Sequence, residues 1–259
     1  MIWSDLKFAY HSRYSWWFTA TSRTRARFSK TIIGNYWLGL SNLLSIISLG
    51  LVYGVVFSVN DFRSYFVYLG LGLVLWNSLS GAINSAPQLL AHNAQNIKNT
   101  NVPVIFYTFE EWSFHIQIFL QSFSLVFIFM LFFKISLLIN LMVSVWLPFI
   151  NFILFIYWFP LIICILSIWY TDISQLVPVV LQILFLVSPI LYNKENLGDL
   201  VWISNINLPY QVISQVRDCL IFGEFNFRGC FFLLIFNLCG VYLSLYILQR
   251  QKKYLPFFL

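Results

Sequence analysis

Long apolar runs alternate with short polar segments along almost the whole chain. A helix rises about 1.5 Å per residue, so about 20 apolar residues cross a hydrocarbon core of about 30 Å. The pattern predicts an all-α integral membrane protein with six transmembrane helices. The predicted spans are Tyr36–Ser58, Tyr65–Ala86, Trp112–Phe133, one span within residues 135–170, Leu176–Tyr192 and Cys230–Leu248.

The fourth span needs its own argument, because residues 135–170 carry no charge and exceed the length that one upright helix requires. Two spans would need a turn, which Pro148 or Pro160 would supply. Two spans would also place the C-terminus on the opposite side of the membrane from the N-terminus. We therefore predict one long span that is tilted or broken.

Residues 1–30 are basic and mixed in character, and they form a region separate from the transmembrane domain of residues 31–259. The spacing of the aromatic and apolar side chains predicts a helix that lies in the membrane interface, with its cations toward anionic lipid. The alternative is a basic tail without this organisation. The side chains that share the helical spacing are Trp3, Leu6, Tyr10, Tyr14 and Trp17.

Composition agrees with the spans, because 60% of the residues are hydrophobic and only 9% are charged. A soluble domain carries about 25% charged residues, so this chain cannot cover itself with a polar surface. No cleavable signal peptide is visible before the first span, which is therefore expected to act as a signal anchor.

The net charge of +6 describes topology rather than nucleic-acid binding, because the basic residues cluster at the ends of the apolar spans. With six spans, both termini lie on one side, and that side holds two thirds of the lysines and arginines. The positive-inside rule places it in the cytoplasm. Residues Pro87–Pro103 and Tyr170–Gln175 are then also cytoplasmic, and residues 193–228 are extracytoplasmic.

Two polar interruptions stand out, and the second, within Tyr170–Arg228, indicates transport rather than simple anchoring. Residues Pro87–Pro103 are rich in amides, and their apolar positions predict a short amphipathic helix. Residues 193–228 are too polar to span a bilayer, and they follow a short span that ends in a Ser-Pro sequence. A plain membrane anchor has no need of such an excursion.

The sequence contains no catalytic or nucleotide-binding motif of the P-loop, H-E-x-x-H or G-x-S-x-G kind. Its three histidines are far apart and are predicted to be interfacial or packing residues. Glu110 and Glu111 stand where the third span is predicted to begin. They could relay protons, but their position favours contact with headgroups or a partner. Asp172 could cap the fifth span or contact a partner, and both roles are compatible.

The four cysteines have no metal-ligand spacing, and no metal site is predicted. Cys164 and Cys239 lie in apolar runs and are predicted to be buried and inert. Cys219 and Cys230 would face one compartment, so a disulfide between them stays open.

Four stretches carry a family resemblance: Arg27–Trp37; Gly72–Asn77 with Asn93–Lys98 and Pro103; Asp172–Ile190; and Asn207–Pro209 with Arg217. Together they resemble the membrane subunits of ABC exporters for lipid-linked bacterial polysaccharides, the Wzm-type O-antigen permeases and their capsule and teichoic-acid relatives within the ABC type-2 permeases. The sequence departs from the family pattern at Thr171, where Arg is usual, at Leu208, which separates Asn from Pro, and at Asn42 and Leu75, where prolines are common.

The resemblance implies a homodimer in the bacterial inner membrane, bound to two copies of a separate ABC ATPase that carries ATP and Mg²⁺; this chain would need no cofactor and bind no nucleic acid. The cargo would be an undecaprenyl-diphosphate-linked glycan that moves through a channel at the dimer interface. The runner-up cargo is another lipid or a drug. A membrane-embedded glycosyl- or acyltransferase would need converging His, Asp or Glu residues, which the sequence does not show.

The resemblance also assigns roles to individual residues. The ATPase would dock on residues 87–103 and on the N-terminal interfacial helix, and residues 193–228 would form short gate helices at the outer face. The ATPase-coupling residues would be His92, Asn96, Ile97 and Lys98; the cytoplasmic entrance for the lipid diphosphate would have Arg23, Arg25, Arg27 and Lys30; and the gate or turn residues would be Asp172, Pro189, Asn207, Pro209 and Arg217.

Overall fold

A computed structural model describes residues 2–56, 59, 61–100, 102–192 and 194–252, and this part of the chain contains helices and no strand. The predicted first-span end at Ser58 and the C-terminal cation Lys253 lie outside the described residues. The helices are α1 Ile2–His11, α2 Arg13–Phe28, α3 Trp37–Val56, α4 Phe62–Ser85, α5 Leu89–His92, α6 Ala94–Asn99, α7 Val104–Leu131, α8 Ser136–Val143, α9 Trp146–Trp169, α10 Ile173–Val187, α11 Val201–Ile206, α12 Leu208–Phe222 and α13 Phe227–Gln251, with 3₁₀ turns at Gly34–Tyr36, Ala86–Gln88 and Lys194–Leu200.

Five helical stretches in the described residues are long and apolar enough to cross a membrane: α3, α4 with its continuation to His92, α7, α9 and α13. The protein is therefore a multi-pass helical membrane protein. Helix α7 begins at Val104, well before the predicted Trp112, because Pro103 is extended and the helix starts directly after it. Glu110 and Glu111 consequently lie inside this helix and not at its entrance.

The predicted fifth span is shorter in the structure than in the sequence. Helix α10 has 15 residues and ends before Ser188, whose backbone is extended at φ −79° and ψ 135°. Pro189 follows and cannot continue a helix. A helix of this length reaches only about 22 Å, less than the hydrocarbon core.

Residues 135–170 form a broken unit, with the short helix α8 followed by α9. The break lies at Ser144 and Val145, and neither proline causes it. Pro148 sits in the first turn of α9, where the missing N–H has no partner to lose, and Pro160 lies within the helix.

The N-terminal region consists of two helices that meet at Ser12, instead of one continuous helix. Helix α2 buries Ala20, Thr24 and Phe28 and packs along α7. The four aromatic rings of the predicted set are exposed, so their placement at headgroup depth stays a prediction. The fifth member of the set, Leu6, packs against the core. The docked ring is Trp16, which stacks on Phe109 with 5.5 Å between ring centroids.

Helices α9 and α13 are joined by a buried amide pair. The side-chain amide of Asn237 donates to the backbone and side-chain oxygens of Asn151 at 3.2 and 3.3 Å, and the indole N–H of Trp158 donates to Asn237 at 2.9 Å. Gly240 allows the close approach, because a Cβ there would lie 2.5 Å from the Trp158 ring. These polar bonds fix the register of two otherwise apolar helices.

The cysteines are unpaired thiols in the structure, so the disulfide left open between Cys219 and Cys230 is not formed, although both side chains are buried. Cys164 is buried as predicted. The prediction for Cys239 is wrong, because it lies on the exposed side of α13.

The two ends of the described chain meet. The Lys252 ammonium lies 3.3 Å from the Asp5 carboxylate, and the side-chain amide of Gln249 donates to the same carboxylate at 3.2 Å. Helix α1 and the end of α13 are therefore on one side of the protein.

Candidate functional site

One side of α4 and its continuation carries an exposed polar stripe. Asn77, Gly81, Asn84 and Gln88 are exposed, and their spacing places them on one helical face. The residues just before them, 71–76, are all buried. A surface that faces lipid would be apolar, since unpaired amides are costly in hydrocarbon. This stripe is therefore suited to water, a polar ligand or another protein surface.

Two open cavities lie along this polar stripe, and both are lined by Asn77, Gly81 and Asn84. The first, of about 680 Å³, is lined by residues of α2, α3, α4 and α7. The second, of about 540 Å³, lies between α4 and α10. Its wall includes Trp76 and Phe185, whose ring centroids are 5.6 Å apart. We call the first the entrance cavity, for the cations at its edge.

Two of the four predicted entrance cations reach this cavity. Arg23 and Arg27 line it, one helical turn apart on α2. Arg25 is exposed on a different face of the helix, and Lys30 is exposed beyond the helix end, so neither is among the lining residues. Of the four cations predicted to form the entrance, only Arg23 and Arg27 therefore line the cavity.

Arg23 belongs to a chain of polar contacts that sequence reasoning did not find. Its Nη1 donates to the carboxylate of Glu111 at 2.5 Å, and its guanidinium lies 4.2 Å from the centre of the Phe114 ring. The other Glu111 oxygen is 3.1 Å from His115 Nε2, which is 2.7 Å from the hydroxyl of Ser85. Three helices, α2, α7 and α4, are connected in this way.

Glu111 is therefore held in an internal contact and does not lie free at a headgroup, and His115, predicted as an interfacial or packing residue, packs between helices and also contacts Glu111 and Ser85. Contact of the Glu110–Glu111 pair with a partner stays a prediction. Glu111 is 8% exposed because α2 covers it. The sequence contains one signal for this site, a Glu and a His four residues apart within an apolar helix. The partner, Arg23, is remote in sequence, and no local pattern indicates it.

The predicted coupling residues lie on two short helices, α5 and α6, which follow α4 after a 3₁₀ turn. His92, Asn96 and Lys98 are exposed, whereas Ile97 is half-buried and packs against the core. The segment is therefore helical, with a polar surface and an apolar contact, as its spacing predicts. Its contact with an ATPase stays a prediction.

At the other end of α4, Arg217 of α12 is the centre of a buried cluster. The side chain is 1% exposed, and its guanidinium lies 3.7 Å from the centre of the Tyr68 ring. Its Nη1 donates to the carbonyl of Pro189 at 2.9 Å, its Nε to the carboxylate of Asp218 at 2.9 Å, and its Nη2 to the hydroxyl of Tyr210 at 3.3 Å. One side chain therefore ties α12 to α4 and to the end of α10.

Helix α12 is also held at both termini. Asn207 caps its first turn by accepting from the N–H of Tyr210, and the Asn207 amide donates to Ser188 at 2.8 Å. Lys134 and Asn140 donate to the carbonyls of the last turn at 2.8 and 2.7 Å. The cation adds a favourable charge at the helix C-terminus.

Four of the five predicted gate residues therefore lie close together. Pro209 is in the first turn of α12, near the capping residue Asn207, and Arg217 donates to the backbone carbonyl of Pro189. Asp172 is apart from them, at the far end of α10. It occupies the N-cap position, but its side chain makes no capping hydrogen bond and is exposed.

Within the described residues no three His, Cys, Asp or Glu side chains are grouped so that they could hold a metal ion. Ser85, His115 and Glu111 are in contact, but the hydroxyl and the carboxylate both approach the same ring nitrogen, Nε2. In a catalytic triad the nucleophile and the acid contact opposite nitrogens of the histidine, so this arrangement is not a triad. The two cavities along the polar stripe instead form a polar surface that could hold a ligand, with arginines at the edge of the entrance cavity.

No curated protein matches the chain. Residues 23–221 match the family described as ABC-2 type transporter, which covers well over half of the 259 residues. The matched range begins at Arg23 and includes α3 to α12. Members of this family are transport permeases that normally work with an ABC ATPase and are not themselves the nucleotide-binding component. The chain belongs to the ABC-2 type transporter family and is a membrane permease subunit of an ABC transporter.

Proposed function

We propose that this permease exports a polysaccharide linked to undecaprenyl diphosphate across the bacterial inner membrane, as a homodimer bound to two ATPase copies. The observation that carries the proposal is the joining of a cationic edge, Arg23 and Arg27, to an uncharged amide stripe in one continuous surface. The cargo has the same division, with an anionic diphosphate at one end and neutral hydroxyls along the rest.

The chemistry of the stripe favours a glycan over an apolar drug. Asn77 and Asn84 offer both donors and acceptors, which match sugar hydroxyls and do not bind one fixed charge. Phe185, which is half-buried, supplies apolar ring surface beside them for the C–H faces of sugars, and the buried ring of Trp76 packs against it. An apolar cargo would gain nothing from amides, and their desolvation would oppose its binding.

The proposed topology has six crossings with both termini in the cytoplasm. Contact between Asp5 and Lys252 supports an even number of crossings, and the five long helices reach an even number when α10 also crosses. The non-helical residues Ser188–Tyr192 then complete the path that the short α10 leaves unfinished. The excess of lysine and arginine on the side of the termini supports the cytoplasmic orientation.

In this orientation, α11 and α12 would form the outer gate, and α5 and α6 would receive the movement of the ATPase. A second copy of the chain supplies the missing wall of the passage, because both cavities are open on one side in a single copy. The polar stripe would then be covered by protein and cargo instead of lipid, which removes the cost of exposing amides to hydrocarbon.

The test has two parts. A tagged copy is purified from native membranes, and its partners and bound lipids are identified by mass spectrometry. A stoichiometric P-loop ATPase with an undecaprenyl glycan supports the proposal, an ATPase with a different lipid or a drug-like molecule favours the other cargo class, and a monomer with no partner contradicts it. Then Asn84→Leu should stop glycan export in cells, whereas Ser124→Leu, exposed elsewhere on α7, should not.

A further inference from the structure

The Arg23–Glu111 ion pair lies where two cavities share a wall. The entrance cavity has a volume of about 680 Å³, and a smaller cavity of about 280 Å³ extends to α5, where His92 contributes to its lining. Arg23, Ser85 and Glu111 line both. The same polar groups therefore face the proposed substrate entrance and the segment expected to receive the ATPase.

The charges in the entrance cavity are unequal. Arg23 and Arg27 line it together with one carboxylate, that of Glu111. The Arg23 side chain is 42% exposed, whereas that of Glu111 is 10% exposed. A guanidinium has five N–H donors, and Glu111 accepts from one Nη1. An anion in the cavity can therefore approach Arg23 from the open side, while the carboxylate reaches it from the protein side.

His115 gives Glu111 a second partner. Its Nε2 lies within hydrogen-bonding distance of both the carboxylate and the Ser85 hydroxyl. The carboxylate only accepts, so Nε2 carries a hydrogen and donates to it. If Arg23 turned toward another anion, Glu111 would keep this bond and would not be left as an unpaired buried charge.

We propose that Glu111 is an internal counter-ion that holds Arg23 until a substrate phosphate replaces it, and that this exchange signals an occupied entrance to the coupling segment. The inference rests on the proposed function. A diphosphate carries more charge than a carboxylate and offers oxygens in a geometry that a guanidinium binds by two bonds, and Arg27 lies one turn away to receive the second phosphate.

The exchange has a structural consequence because the ion pair joins α2 to α7. When the phosphate takes Arg23, that link is released, and the change occurs in the wall shared with α5. No covalent chemistry is involved. The protein then senses cargo by the loss of one internal contact, close to the residues expected to meet the ATPase.

The test measures ATP hydrolysis by the complex of this chain with its native ATPase, in nanodiscs of uncharged lipid. The added probes are undecaprenyl diphosphate, inorganic pyrophosphate and, in separate discs, phosphatidylglycerol. We expect undecaprenyl diphosphate to stimulate the wild-type complex. Glu111→Gln should raise the rate measured without added undecaprenyl diphosphate to the stimulated level and leave little further stimulation. Because a competing ion pair is removed, undecaprenyl diphosphate should bind roughly two- to tenfold more tightly in a direct binding measurement.

Glu110→Gln is the matched control. Glu110 is adjacent and half-buried and lines the smaller cavity with Arg23, but its carboxylate makes no hydrogen bond to Arg23. The variant should therefore change the basal and stimulated rates much less than Glu111→Gln does. Thermal unfolding of both variants checks that they fold alike. If undecaprenyl diphosphate stimulated the wild type and Glu111→Gln to the same extent, from the same basal rate, the proposed replacement of Glu111 by phosphate would be refuted. The proposed cargo would still stand.

The remaining outcomes concern the ligand. If undecaprenyl diphosphate fails to stimulate even the wild type, the proposed cargo and the exchange are both refuted. Equal stimulation by pyrophosphate or by phosphatidylglycerol would refute a lipid-diphosphate ligand, because a free anion or bulk lipid would then be sufficient.

Discussion

Replacement of Arg217 by alanine tests whether this one side chain holds α12 against α4. The guanidinium contributes a charge-assisted bond to the Pro189 carbonyl, a bond to Asp218 and a contact with the ring of Tyr68. The substitution leaves few polar groups without a partner. The Pro189 carbonyl still accepts from the Tyr68 hydroxyl at 2.9 Å, and the Asp218 side chain, which is 45% exposed, remains solvated.

The magnitude follows from these contacts. A hydrogen bond from a charged group contributes about 1.5–3 kcal/mol, and a desolvated cation–π contact up to about 2 kcal/mol. The Asp218 bond adds little because that carboxylate is half-exposed, and relief from burying the cation offsets part of the loss. We expect Arg217→Ala to lower the free energy of the local opening that separates α12 from α4 by about 3 kcal/mol.

Cys219, two residues further along α12, reports this change. It is buried, and burial raises the pKa of its thiol, so it should react slowly with a polymer-linked maleimide in the native state. A loss of about 3 kcal/mol increases the open fraction, and hence the labelling rate, on the order of a hundredfold. The rate is measured by gel shift on protein purified in detergent.

Two controls make the result decisive. Cys219→Ser identifies the band that belongs to this thiol, and Arg228→Ala removes an exposed arginine at the start of α13 and should leave the rate unchanged. If Arg217→Ala were folded and labelled at the wild-type rate, the cluster would not hold α12, and the reasoning from its contacts would be refuted.

Three further outcomes are expected. Asn237→Ala should destabilise the protein by about 1–3 kcal/mol, because it leaves buried polar partners unpaired, and thermal unfolding in detergent measures this. Gly240→Ala should lower the unfolding temperature, since its Cβ would overlap the indole ring on α9, whereas Gly81→Ala has open space and should not; equal stability of the two would contradict the packing. Lys98→Ala should uncouple ATP hydrolysis from export while membrane insertion stays normal, with Asn99→Ala as the exposed neighbour control; normal export would exclude this role for Lys98.

Much of the fold could be predicted because membrane spans are long and locally encoded. The apolar run that became α13 needs no partner to be recognised, and neither does the basic N-terminal region. The residues at which helices begin and end were harder to predict, since each boundary depends on the conformation of a few residues in one turn. The break at Ser144 has no adjacent proline or glycine to mark it, and α7 begins at Val104, directly after Pro103, although the two acidic residues within it suggested a later start.

The candidate site was harder to predict, because its contacts join residues far apart in the chain. The Asn77–Gln88 stripe lies largely within a helix that was predicted as a span, but the hydrophobic pattern alone did not single out its exposed polar face. Arg217 was singled out through resemblance, whereas its contact with Tyr68 requires the folded chain. The bond from Arg23 to Glu111 links residues on different helices, so no periodicity reveals it.

The amide pair between α9 and α13 has a consequence for biogenesis. Asn151 enters the membrane during synthesis well before Asn237 has been made, and Trp158 depends on the same late partner for its indole N–H. Until the last helix inserts, these polar groups have only water, lipid headgroups or the translocation machinery as partners. The final helix therefore completes the bundle, and a chain truncated before Phe227 would present an unsatisfied polar surface that membrane quality control can recognise.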